Sequence, residues 1–101
     1  MAIMCGVVGA LSSFFHDHLD IKDARTREIV AIKLIAKFPT LAAISFRTSQ
    51  GLPIVSPNKS MGYTENFLNM LFCDPMDENY KVPQVMIDAM DIIFILHADH
   101  E

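Results

Sequence analysis

From Ala2 to Phe15 the chain runs fourteen residues without a charged side chain. A helix there has no charged stripe over its first four turns, so it is expected to be buried on every side. Gly6, Gly9, Ala10 and Ser13 fall three or four apart in this run and let another helix approach closely. Each Gly costs a helix about 1 kcal/mol relative to Ala, so two of them imply a packing reason. The run is shorter than the roughly 18–20 residues that cross a bilayer. It also lacks the basic segment that opens a signal peptide. The continuously apolar run from Ile92 to Leu96 is shorter still. Both are read as core helices, and no membrane segment is expected.

Composition sharpens the problem. A chain of 101 residues holds one small domain, yet 51% of it is apolar, 20% charged, and the mean hydropathy is +0.30. Small domains expose much of their surface and need more polar residues than large ones. The apolar content excludes disorder, and two cysteines exclude a disulfide scaffold. Four Gly and five Pro without a period exclude collagen-like and repeat architectures. The excess points to a membrane protein, a core that needs a partner, or a piece of something larger.

Eight basic against twelve acidic residues give a net charge of −4. The basic residues between Lys22 and Lys59 are spread over three segments and make no patch for phosphates, so no nucleic-acid partner is expected. Cys5 and Cys73 lie far apart with no CxxC spacing. They are expected to be reduced, buried thiols in a cytoplasmic protein.

The patterning predicts an all-α fold of about five helices. The first spans Ala2 to about Leu19. Asp23 is positioned to cap a second, Ala24 to about Lys37, with Arg27 four residues on in the favourable order for a weak ion pair. Pro39 is expected to end or kink that helix, because it restricts Phe38. A third, Thr40 to about Gln50, stops at Gly51. Pro53, Pro57, Asn58 and Gly62 mark a loop, in which only Leu52 to Val55 alternates like a strand. Tyr63 to Phe72 is a short helix, Asp74 to Lys81 a connection, and Pro83 opens a last helix to about Leu96. Met70, Met76, Met86 and Met90 are expected as core filler.

The polar groups of chemical interest close the sequence: His97-Ala98-Asp99-His100-Glu101. The negative end of a helix dipole favours a protonated imidazole, which suits a carboxylate or ketoacid oxygen. His97, Asp99 and His100, with His16-Asp17-His18 as a second half, offer metal-binding residue types. Residues adjacent on one turn rarely close a coordination sphere, however, and no zinc spacing is present. Read from composition alone, both groups are solvated helix ends, and no metal is expected. Neither cysteine has a base beside it in sequence, so nucleophilic roles are not expected. A Gly-rich phosphate loop is absent from the sequence.

Several segments together resemble an internal stretch of bacterial citrate synthase. They are Met4-Cys5-Gly6 with Gly9-Ala10-Leu11, and Phe15-His16-Asp17 with Leu19-Asp20. Arg27-Glu28-Ile29, Lys37-Phe38-Pro39-Thr40 and Asn66-Phe67-Leu68-Asn69-Met70 follow, then Ile95 to Glu101. The matches cover essentially the whole chain in the right order; the Asn-Phe-Leu-Asn-Met run and the closing His-Ala-Asp-His-Glu are the specific ones. The resemblance implies that residues 1–101 are a single partial segment of the large helical domain of that family. It implies an acyltransferase that condenses acetyl-CoA, oxaloacetate and water to citrate and CoA, the first step of the tricarboxylic acid cycle. No cofactor is required, since acetyl-CoA is a substrate.

For single residues the resemblance implies less. His100 matches a residue that contacts oxaloacetate, and His97 its neighbour in the same region. The main catalytic residues of the family, two His and an Asp, would lie downstream of Glu101, so none is assigned here. The first two helices match elements that pack against a second subunit, in a dimer or a hexamer built of dimers. Lys33 and Lys37 match two basic residues of a regulatory NADH site in some members. One of those is Arg there, and a Tyr is replaced by Phe15, so the site here lacks a hydroxyl and a guanidinium fork. The resulting expectation is a segment inactive alone but drawn from an active enzyme. An all-α interaction module and a small metal-binding helical protein are the rival readings.

Overall fold

The computed structural model describes residues 1–14, 20 and 22–99. Helix α1 spans Ala2–Leu11 and passes into a 3₁₀ turn, Ser12–Phe14. The hydroxyls of Ser12 and Ser13 donate back to the carbonyls of Gly9 and Ala10, each at 2.7 Å, and satisfy acceptors that the helix end leaves open. Helices α2 (Ala24–Ser49), α3 (Tyr63–Phe72) and α4 (Gln84–Ala98) follow. Among the described residues there is no strand, and the alternating stretch Leu52 to Val55 is irregular.

Asp23 caps α2 as expected: its carboxylate accepts from the Arg25 N–H and the Thr26 hydroxyl, both at 3.0 Å. At the other end Gly51 adopts φ +68°, the left-handed conformation that glycine enters without cost. There the Leu52 N–H reaches the Arg47 carbonyl at 2.8 Å and the Gly51 N–H the Thr48 carbonyl at 3.1 Å. This paired closure ends the helix where the sequence placed its stop.

The helix does not end at Pro39. Helix α2 is continuous for 26 residues with Pro39 inside it, so the second and third expected helices are one. Pro39 has no N–H to offer the Ile35 carbonyl. The Tyr63 hydroxyl, from α3, donates to that carbonyl at 2.9 Å instead. Pro39 itself is buried, so helix geometry is held there by packing. As one element, α2 has the length and apolarity of a membrane span, with an 18-residue window averaging 1.8 in hydropathy. Division at Pro39 hid this profile, which long core helices share.

Helix α2 lies chiefly against α3; α1 also packs on α2, and α4 packs on α3. The core is small: Ala43, Leu68, Met70 and Val82 are its buried apolar residues among those described. Phe46 meets Phe72 edge to face at 6.3 Å, which closes the α2–α3 contact near their C-terminal ends.

Burial of the apolar helices is the main departure from expectation. No described residue of α1 or α4 is buried. Nothing lies within 4 Å of where a Cβ would stand at Gly6 or Gly9, so among the described residues no helix uses that approach. Ile92, Ile93, Ile95 and Leu96 are exposed on α4, and Met76 is 89% exposed, so of the four methionines named as filler Met70 alone is buried. Cys5 is exposed and Cys73 half-buried, so neither thiol is the buried one expected. The cause is geometric. The chain exposes 7669 Å², whereas a compact monomer of its mass exposes about 5,700 Å². Its radius of gyration is 15.4 Å, against about 12.7 Å for a compact domain of this length. Four helices in this arrangement have too few neighbours to cover their apolar faces.

Candidate functional site

The C-terminal turn of α4 carries the first residue of the closing motif. The His97 Nδ1 lies 2.8 Å from the Ile93 carbonyl, one turn earlier. A carbonyl can only accept, so Nδ1 carries the hydrogen and Nε2 is left to act outward. The ring is exposed, and Asp99 leaves the helix in an extended conformation (φ −136°, ψ 100°). The imidazole therefore stands at the helix end with fixed tautomer and one nitrogen available. His100 and Glu101 lie outside the described residues, as do Phe15 to Leu19, with His16 and His18.

Helix α4 is aligned by α3. The Thr64 hydroxyl, 6% exposed as a residue, donates to the Asp91 carboxylate. The Phe94 ring stands 6.1 Å from that of Tyr63 and 5.9 Å from that of Phe67. Gly62, Tyr63, Thr64, Gln84, Ile87 and Asp91 surround a shallow polar cleft of about 240 Å³ between the two helix starts. Burial pushes the Tyr63 phenol above its ordinary value of 10.0, so the hydroxyl stays a donor.

A second, larger groove of about 830 Å³ lies between the C-terminal ends of α2 and α3. Phe46, Leu52, Phe72 and Met76 line it, with Arg47 at its base. Arg47 is 3% exposed; its Nε donates to the Pro53 carbonyl and its Nη1 to the Leu71 carbonyl at 2.9 Å. One guanidinium thus ties the loop after α2 to the last turn of α3, where helix carbonyls carry negative charge.

Lys33 and Lys37 lie one turn apart on α2, the first half-buried and the second exposed. Neither lysine, nor His97, lines either of these clefts. Among the described residues no group of three His, Cys, Asp or Glu is arranged to hold a metal ion. Sequence patterning did not single out Thr64, Asp91 or Arg47 as partners, because each acts through a residue on another element. The available signal for Tyr63 was Pro39, which leaves a helical carbonyl in need of a donor.

The sequence matches the family model described as citrate synthase, C-terminal domain, from residue 1 to residue 101. That match takes in α1 to α4 and the His97 turn. The chain belongs to the citrate synthase family.

Proposed function

We propose that this chain supplies part of the oxaloacetate site of a citrate synthase, as a segment of a longer polypeptide that condenses acetyl-CoA, oxaloacetate and water to citrate and CoA. The observation that carries this is the family match over all 101 residues. The placement of His97 at the end of α4, Nε2 outward, supports it. In this reading His97 and His100 face oxaloacetate. None of the 101 residues takes a catalytic role, and no cofactor is invoked.

The exposed faces of α1 and α4 support a longer chain and an assembly of copies, dimer or hexamer of dimers, with α1 at the contact. Lys33 and Lys37 would offer two cations to the anionic NADH at a regulatory site, weakened by the missing guanidinium and phenol. A cytoplasmic setting accords with two free thiols.

Release of CoA from acetyl-CoA plus oxaloacetate, followed with a thiol reagent, tests the reading. The complete polypeptide is expected to turn over and the 101-residue chain alone to release none. In the complete enzyme His100→Ala should raise the oxaloacetate requirement by the few kcal/mol of a lost charge-assisted contact, about 1.5–3 kcal/mol. Turnover by the isolated chain, or an unchanged oxaloacetate dependence in His100→Ala, would overturn it.

A further inference from the structure

The position of His97 depends on whatever holds α4, and α4 has little hold. None of its described residues is buried, and the Gln84–Asp88 hydrogen bond stays within the helix. Among the described residues, the Thr64–Asp91 bond ties it to α3, together with the rings of Tyr63 and Phe67 against Phe94. Ring contacts at these separations tolerate sliding, since the attraction is broad in distance and angle. A hydroxyl donating to a carboxylate does not. It weakens steeply with misalignment, and a slip of one residue along the helix moves the acceptor about 1.5 Å. Asp91 and His97 are six residues apart in α4, so the fixed point and the imidazole lie less than two turns, about 9 Å, apart along one helix.

We infer that Thr64 and Asp91 are positioning residues for His97: their hydrogen bond sets the axial register and rotation of α4 and thereby the place of the outward Nε2. Thr64 suits the task because it is buried and offers a short, branched side chain with few rotamers. Its acceptor is a carboxylate, and a charge-assisted bond is stronger than a neutral pair. A shift of the order of 1 Å in a substrate-orienting group is enough to change binding and rate substantially. This inference rests on the proposal that His97 faces oxaloacetate.

The test uses the complete polypeptide that carries these residues, with Thr64→Val, Asp91→Ala, the double variant and Thr64→Ser. Asp91 is exposed, so Asp91→Ala keeps the comparison open if Thr64→Val does not fold. Each single variant is expected to raise the KM for oxaloacetate about tenfold while that for acetyl-CoA changes less than about twofold. The double variant should be no worse than either single one, because both remove the same bond. Thr64→Ser, which keeps the hydroxyl, should restore the wild-type value. The imidazole NMR resonances of His97 are followed in the same samples and should move in Thr64→Val and Asp91→Ala but not in Thr64→Ser. Unmoved resonances, effects that add, or an unchanged oxaloacetate KM in an active enzyme would each overturn the inference. Wild-type protein that makes no citrate would overturn the proposed function instead, while the His97 resonances still decide the positioning role.

Discussion

The Tyr63 hydroxyl donates at 2.9 Å to the carbonyl of Ile35, the acceptor that Pro39 deprives of its helical N–H four residues on. The pairing lets α2 run through a proline and at the same time ties α3 to its midpoint. It also makes the two residues energetically interdependent, which single substitutions can expose. Tyr63→Phe should destabilise the protein by about 1 kcal/mol, the net worth of one hydrogen bond. In a Pro39→Ala background, where the substituted alanine supplies the missing N–H, the same change should cost clearly less. Denaturant unfolding of the four proteins gives the coupling directly; equal costs in both backgrounds would show that Tyr63 does not serve the proline.

The same phenol gives a pH dependence of known sign. Burial raises its pKa above 10.0 in the folded protein, so the folded state holds the proton more tightly than the unfolded chain. The stabilisation is fully present below about pH 10, the phenol's ordinary value, and is lost as pH rises through the higher folded value. Thermal melts of wild type and Tyr63→Phe between about pH 8 and 11 should therefore converge at the alkaline end. A gap that persists undiminished beyond both values would assign the effect to packing of the ring against Phe94.

Arg47 carries a different share of the fold. Its guanidinium is buried and bonds two carbonyls on separate elements, those of Pro53 and Leu71. Replacement by Met keeps the stem and abandons both acceptors, one of them in the last turn of α3. A loss of about 2–3 kcal/mol is expected. Lys should recover little, since one ammonium cannot span the two directions of the fork. Chemical unfolding of Arg47→Met and Arg47→Lys checks this, and full rescue by Lys would show that charge alone suffices.

The parts of the fold legible in the sequence are those decided within a few residues. The Asp23 cap, the Gly51 stop and the start of α4 after Pro83 each depend on local backbone chemistry. Pro39 misled because its cost is met by Tyr63, which lies 28 positions beyond the Ile35 carbonyl it serves and joins only when α3 docks. The apolar faces of α1 and α4 misled for the converse reason. Periodicity says that a face is apolar, but not whether this chain holds the elements that cover it. At the candidate site the motif letters named His97, and its tautomer follows from a contact one turn back in the same helix; the Thr64–Asp91 bond came only with tertiary structure.

Gly6 and Gly9 separate intrinsic helix stability from association. With nothing within 4 Å of either prospective Cβ, Ala at these positions meets no clash inside the chain. Each substitution should then strengthen α1 by up to about 1 kcal/mol, through the lower backbone entropy of the unfolded Ala chain. If copies of the protein meet along α1, as proposed, the same methyl groups intrude on a close helix–helix approach. Gly6→Ala/Gly9→Ala should accordingly raise helical content at low concentration while shifting sedimentation equilibrium toward smaller species. Stabilisation with unchanged association would remove the glycine face from the subunit contact and leave the exposed side of α4 as the surface to test next, through Ile95→Glu.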